Sequence, residues 1–200
     1  RFFWETVGKM RDRIDDPTFL IGARLSALEE LPGGFGTAGP GSTEQDLSES
    51  IAFVRRMEAE GLHYVNLSIT SVPNSHPTSA RPELATLHFA VTEAIKKAVK
   101  MPVIGTGYSM LADGQNALPE PDPTKKSFLY WAEKNLAEGR VDMVGVGRQS
   151  LADPFFARKI LAGAMEDIDF CTACQGCVKL LSAQREVGCT VYDPECKESL

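Results

Sequence analysis

The sequence predicts an α/β fold built on a parallel β-sheet. Its 200 residues contain four successive units, each with a short apolar run, a polar or glycine-rich loop and a helix. The apolar runs are five to eight residues long, which is typical of strands buried on both faces of a parallel sheet. A hydrophobic content of 43% and a charged content of 24% indicate an ordinary globular core.

Each predicted element follows from a local pattern along the chain. The strands are predicted over residues 19–26, 63–69, 102–106 and 141–147. The helices that follow them are predicted over residues 44–60, 83–100, 127–138 and 153–164. Thr43 is a suitable N-cap for the first helix, and Gly61 is a suitable stop. Pro82 fits the first turn of the second helix, and Asp153 with Pro154 forms the N-terminal pattern of the fourth.

Four such units make half of a (β/α)₈ TIM barrel, in which functional loops follow the carboxyl ends of the strands. A half barrel would leave two open parallel edges, so we expect it to pair with a further part of the protein. The chain starts with the amphipathic helical pattern RFFWETVGKMRD and no Met, which we interpret as the start of an internal fragment. A flavodoxin-like open sheet is the alternative that the pattern alone leaves open.

Charge and hydropathy argue against several classes of partner. The net charge is −6 and no basic stripe is present, so a general nucleic-acid binder is not expected. No apolar run approaches the ~18 residues of a membrane span. The start of the chain lacks the apolar core of a secretion signal. Five cysteines in that context favour a reducing compartment, the cytoplasm, and metal or redox chemistry over disulfides.

Glycine-bearing loops follow the third and fourth predicted strands. The third strand runs into GTGYS, with Gly105 and Gly107, and the fourth into GVGRQSLADP, with Gly145 and Gly147. Glycines let a ligand approach the backbone amides, and Arg148 adds a positive charge. Two such loops after the last strands are the usual way in which a barrel binds phosphate. The alternative is that the glycines only form tight turns.

One arginine and three histidines are further candidates. Arg24 lies in the first strand, where it could face an anion or an electron-rich ring, or pair with a carboxylate. His63 starts a strand and His88 lies on a helix, so a structural role is expected for both. His76 lies in a loop that could line the mouth of a barrel. We expect none of the histidines to be catalytic.

The cysteine segment CTACQGCVKLLSAQREVGC has the spacing C-x₂-C-x₂-C-x₁₁-C. Cys171, Cys174 and Cys177 could hold one face of an iron–sulfur cubane, with Cys189 as the fourth ligand. Cys196 follows after six more residues. A tetrahedral zinc site is possible, but three closely spaced ligands favour the cluster. The remaining alternative is a set of reduced thiols.

Several segments, in this order, resemble the Old Yellow Enzyme / 2,4-dienoyl-CoA reductase-like family of NAD(P)H:flavin oxidoreductases. The segments are RFFWETVGKMRD, GARLS, GLHYVNLS, PVIGTGYS, VDMVGVGRQSLADP and the cysteine segment with GCTVYDPEC. The resemblance covers essentially the whole chain. It implies that residues 1–168 supply the C-terminal half of an FMN-binding (β/α)₈ barrel and that residues 169–200 form a cysteine-rich extension.

The resemblance also implies roles for particular residues. Arg24 would lie against the pyrimidine edge of the flavin, while Thr106, Gly107, Gly147 and Arg148 would surround the FMN phosphate. In the cluster-containing branch the four cysteines of the segment bind a 4Fe–4S cluster, although the gap between the second and third is one residue shorter here.

The implied reaction takes hydride from NAD(P)H to the flavin and then to an enone or enoyl substrate. The family's substrate-binding pair and proton donor would lie upstream of Arg1, so no catalytic residue is expected within this chain. The missing N-terminal half of the barrel is the expected partner, and a homo-oligomer is a further expectation. A metal-binding half-barrel module without catalysis is the alternative function.

Overall fold

The structure, a computed structural model, describes residues 1–70, 82–110 and 127–199. Its centre is a four-stranded sheet formed by β1 (Gly22–Glu29), β2 (Tyr64–Thr70), β3 (Val103–Gly105) and β4 (Met143–Val144). The strands lie side by side in chain order, and every neighbouring pair is parallel. The α/β fold with a parallel sheet that the sequence predicts is therefore confirmed.

The described residues also form eight α-helices. They are α1 (Phe2–Arg11), α2 (Ser48–Ala59), α3 (Pro82–Lys96), α4 (Phe128–Ala137), α5 (Arg148–Ala152), α6 (Phe156–Ala162), α7 (Gly176–Ser182) and α8 (Pro194–Glu198). Among them, none is both long enough and apolar enough to span a membrane. The loop with His76 and residues 111–126 lie outside the described residues.

The register of the sheet places one residue of each strand in a single row. Arg24 lies opposite Asn66, Asn66 opposite Ile104, and Ile104 opposite Met143. Because side chains alternate between the faces of a strand, this row lies on one face of the sheet, with Arg24 at one edge. That face therefore presents polar groups on the side of β1 and β2.

The opposite face of the sheet is apolar and packs against helices. Val65, Leu67 and Val103 are buried there with Val54 and Met57 of α2. A second cluster joins α3, α4 and the 3-10 helix Tyr108–Met110; it contains Phe89, Tyr108 and Phe128. The two clusters hold the helices against the sheet.

Some element boundaries differ from the sequence-based prediction. β1 begins at Gly22 rather than at residue 19, since Phe19 and Leu20 are half or more exposed and lie before the paired residues. Helix α2 begins at Ser48 rather than at residue 44. Residues 44–46 are held in the preceding loop instead, where the backbone N–H of Asp46 donates to the carbonyl of Gly36.

The fourth helix is also divided. A short helix, α5, already starts at Arg148, and Asp153 lies at the junction with α6. The N-cap of the second piece is Phe155 rather than the predicted Asp153, whose Oδ1 accepts a hydrogen bond from the backbone N–H of Phe155 over 2.9 Å, just before the helix. Gly163 ends that piece with a left-handed backbone.

Candidate functional site

A pocket of about 430 Å³ lies at the carboxyl ends of the strands, on the face that carries Arg24. All five residues that the sequence predicts to bind a cofactor line it: Arg24, Thr106, Gly107, Gly147 and Arg148. Asn66, Ser68, His88 and Ser109 complete its polar lining. Sequence reasoning did not identify these four as site residues.

Arg24 and Arg148 supply the positive charge of the pocket. Among the described residues, neither arginine lies within salt-bridge distance of a carboxylate, and no Asp or Glu is part of the lining. The alternative in which Arg24 pairs with a carboxylate is thus not found in this part of the chain. Two guanidinium groups beside one cavity, neither paired with a described carboxylate, favour an anionic or electron-rich ligand.

Thr106 and Gly107 contribute differently to the pocket. The Oγ1 of Thr106 donates a hydrogen bond to the carbonyl oxygen of Leu67 over 2.7 Å, so this hydroxyl joins β3 to β2. Gly107 has a φ of +101°, which disfavours any side chain. A Cβ at this position would also lie only 2.9 Å from Cγ of His88. Gly107 is therefore required both by its backbone conformation and by the imidazole beside it.

His88 lies in the pocket rather than in a purely structural setting. It is on α3, is 9% exposed, and its Nδ1 is buried without a hydrogen-bond partner in the described part of the chain. Burial, followed by the positive charges of Arg148 and Arg24, lowers the pKa of His88 from its ordinary 6.5 to about 4. The imidazole is therefore neutral at pH 7.

Gly145 and Gly147 line the pocket after β4. A Cβ at Gly145 would lie 3.2 Å from Ile104 and 3.3 Å from Thr106, so this glycine allows close packing against β3. At Gly147 no heavy atom would lie within 4 Å of an added Cβ, and Arg148 begins α5 at the next position. The backbone of Gly147 is thus open to a ligand, next to a cationic side chain.

The cysteine segment forms a second, smaller cavity of about 20 Å³ on the other side of Arg148. Its lining includes all four cysteines of the predicted cluster site: Cys171, Cys174, Cys177 and Cys189. Cys196 is buried elsewhere, and all five cysteines are free thiols. Arg148 lines both cavities, so its side chain is adjacent to the pocket and to the cysteines.

The backbone between the first three cysteines is tightly turned. Ala173 and Gln175 have φ values of 55° and 64°, which are uncommon for residues other than glycine. The turn directs this segment around the cavity. Within residues 1–70, 82–110 and 127–199, however, no three His, Cys, Asp or Glu side chains are arranged to hold a metal ion. The thiols are gathered at one cavity but do not form a coordination site.

Burial raises the pKa of the Cys171 and Cys177 thiols, and the charge of Arg148 opposes this effect. At Cys174 burial acts in the same upward direction, but hydrogen bonds outweigh it and lower the pKa of the thiol. The main donors to Cys174 are the backbone of Gly176 and the hydroxyl of Thr172. The three thiols therefore differ in how readily they give the thiolate that a metal would bind.

Comparison with known proteins gives relatives that are all much longer than this chain. No family model matches the chain. It is 30% identical over 181 residues to an NADH oxidase of Thermoanaerobacter brockii, covering 89% of the chain and 23% of that protein. A metal reductase of Desulforamulus reducens is 31% identical over 195 residues, which is 95% of the chain and 24% of the relative. A cinnamate reductase of Clostridium sporogenes is 26% identical over 156 residues, or 76% and 20% respectively.

The fold has a counterpart of known structure. Histamine dehydrogenase from Rhizobium sp. 4-9 superimposes with a TM-score of 0.65 and 22% identity, over all of the chain and 24% of that protein. The chain thus spans about a quarter of the length of the first curated relatives it matches.

These relatives are named as an oxidase and two reductases, all of them oxidoreductases. The chain belongs to the Old Yellow Enzyme / 2,4-dienoyl-CoA reductase-like family. The family resemblance noted in the sequence is thereby confirmed.

Proposed function

We propose that this chain is part of an FMN-dependent NAD(P)H oxidoreductase of the ene-reductase type. The observation that carries the proposal is the pocket that Arg24 and Arg148 line without a carboxylate partner among the described residues. The names of two relatives, an NADH oxidase and a cinnamate reductase, support a nicotinamide reductant and an alkene conjugated to a carbonyl as the substrate.

The lining of the pocket fits FMN, which carries a dianionic phosphate and an aromatic ring. Gly107, Gly147 and Arg148 would hold the phosphate, because the Gly147 backbone is open and Arg148 adjoins it. Arg24 would stabilise negative charge on the ring, and Thr106 would fix the β3 end through its bond to Leu67. When bound, FMN would supply hydride transfer between NAD(P)H and the alkene.

The rest of the active site is assigned to other parts of the protein. We place the substrate-binding pair and the proton donor upstream of Arg1, and we assign no catalytic residue within residues 1–200. Residues 1–168 would form the C-terminal half of a closed (β/α)₈ barrel, with its N-terminal half as the partner along the open edges of β1 and β4. Such closure would cover the face that carries Arg24 and exclude water from the pocket.

Two measurements on the full-length protein test this proposal. The purified protein is expected to show flavin absorption, and FMN is expected in the supernatant after denaturation. It is also expected to oxidise NADH or NADPH when cinnamate or a simple enone is supplied without oxygen. A protein that takes up no flavin would overturn the proposal, whereas flavin binding without alkene reduction would overturn only the ene-reductase assignment.

The cysteine segment supports a second proposal, a 4Fe–4S cluster held by Cys171, Cys174, Cys177 and Cys189. Its support is that the four side chains line one cavity, beside a segment turned by two left-handed residues. Because these thiols do not form a coordination site, no step of the reaction is assigned to the cluster. Iron with acid-labile sulfide in the full-length protein would support the cluster. Zinc without flavin would support the alternative of a non-catalytic metal-binding module.

The compartment is proposed to be the cytoplasm. The support is that four of the five cysteines lie within one short segment, a spacing that favours metal or redox chemistry in a reducing environment. Labelling of thiols with a membrane-permeant reagent in intact cells, followed by fractionation, tests this assignment. Recovery of the protein outside the cytoplasm with paired cysteines would contradict it.

A further inference from the structure

The His88 side chain carries a polar atom without an assigned function. Its Nδ1 is buried and has no hydrogen-bond partner among the described residues, although the ring lines the pocket. A buried nitrogen without a hydrogen-bond partner is destabilising and calls for an explanation, and a ligand in the pocket would supply the missing partner. The position of this atom shows which part of a ligand it would meet.

Nδ1 lies at the phosphate end of the pocket. An ideal Cβ on Gly107 would be 3.3 Å from Nδ1 of His88, so the imidazole adjoins the backbone to which the phosphate is assigned. The charged groups of the described chain that face His88 are Arg148 of α5 and Arg24 of β1. The remaining polar side chains of the described lining are uncharged. The surroundings of His88 are thus cationic, as a site for a phosphate requires.

We propose that His88 binds the FMN phosphate through its Nδ1–H and thereby helps the pocket to distinguish FMN from riboflavin. This inference rests on the proposed function. At neutral pH the imidazole can donate from Nδ1 in its uncharged form, with the proton on that nitrogen. A bound phosphate dianion would also favour the protonated ring, which donates from the same atom.

A packing role for His88 predicts a different result. If the ring only filled space beside Gly107, its loss would disturb the pocket for every ligand of the same shape. A hydrogen bond to the phosphate would matter for FMN and not for riboflavin, which has the same ring and ribityl chain but no phosphate. The comparison of the two ligands therefore separates recognition from packing.

The experiment uses flavin-free, full-length protein and measures the Kd of FMN and of riboflavin by flavin fluorescence. His88→Leu keeps the approximate volume but removes the donor, and His88→Asn keeps an amide N–H near the position of Nδ1. We expect His88→Leu to weaken FMN binding about 10- to 100-fold and riboflavin binding by less than about threefold. His88→Asn is expected to restore most of the FMN affinity.

Two results would overturn the inference. One is an equal loss of FMN and riboflavin affinity in His88→Leu, and the other is no loss for either ligand. A wild-type protein that binds neither flavin would overturn the proposed function itself and this inference with it. Thermal unfolding of each variant confirms that the binding data come from folded protein.

Discussion

The side chain of Gln149 accepts a hydrogen bond at Oε1 from the backbone N–H of Cys171, over 2.9 Å. Its Nε2 donates to the carbonyl oxygen of Asp169, also over 2.9 Å, and its backbone N–H donates to Oγ of Ser109 over 3.3 Å. Gln149 is fully buried. One residue thus attaches the start of the cysteine segment to α5, directly after Arg148, and to the 3-10 helix that follows β3.

Replacement of Gln149 by Leu is expected to destabilise the protein. The variant keeps much of the volume but leaves the N–H of Cys171 and the carbonyl of Asp169 buried without their partner. We expect a loss of about 2 to 4 kcal/mol in the free energy of unfolding, measured with urea. The control is Ser150→Ala, one position further, where the side chain is exposed. A loss no larger in Gln149→Leu than in the control would contradict the structural role.

Replacement of Arg148 by Gln is expected to weaken FMN binding. The change removes the positive charge that lies beside Gly147 while it keeps a polar side chain of similar length. A lost charge-assisted bond corresponds to a rise of about 10- to 100-fold in the Kd of FMN, measured by fluorescence titration. Arg158→Gln is the matched control, because Arg158 is exposed on α6 and does not line the pocket. Equal Kd values for both variants would argue against the phosphate assignment.

The low pKa of His88 makes the stability of the flavin-free protein depend on pH. The folded protein holds this imidazole neutral down to about pH 4, whereas the unfolded chain protonates it near its ordinary 6.5. Stability is therefore expected to fall as the pH decreases from about 6.5 to about 4, by roughly 3 kcal/mol from this group alone. Unfolding by urea across this range measures the slope. The same slope in His88→Leu would show that other groups cause it.

Replacement of Cys171 by Ser tests the cluster in the full-length protein. If the four cysteines hold a 4Fe–4S cluster, loss of one ligand is expected to lower bound iron and acid-labile sulfide together, measured chemically on the purified protein. Cys196→Ser is the control, because Cys196 lies outside the cavity that the other four cysteines line. Unchanged iron and sulfide in Cys171→Ser would exclude this residue as a ligand.

Much of the pocket was predictable from local sequence. In a parallel β/α fold, residues at the carboxyl ends of strands meet at one edge of the sheet, whatever their separation along the chain. The glycines and Arg148 follow predicted strands, so their place in the pocket required only the order of elements. His88 gave no such signal. It lies on a helix, and only the packing of α3 beside β3 places its ring against Gly107.

The cysteine spacing likewise predicted that the four thiols would lie close together, but it did not predict how they are arranged around the cavity. Local spacing restricts how far apart the first three thiols can be, whereas the distance to Cys189 depends on how residues 178–188 fold. The turn through Ala173 and Gln175 and the bonds of Gln149 determine where this segment lies. The bonds of Gln149 join residues that are distant in sequence, and the turn depends on unusual backbone conformations. The spacing of the cysteines predicts neither feature.

The sequence by itself determined the α/β alternation, the family and the residue types at the strand ends, because each depends on local periodicity or on a short motif. Only the tertiary structure decided that Arg24 lies opposite Asn66, that Nδ1 of His88 is buried without a hydrogen-bond partner among the described residues, and that Arg148 lines both the pocket and the cavity of the thiols. The reason is physical: register and helix orientation are set by the burial of apolar side chains that are distant from one another in sequence.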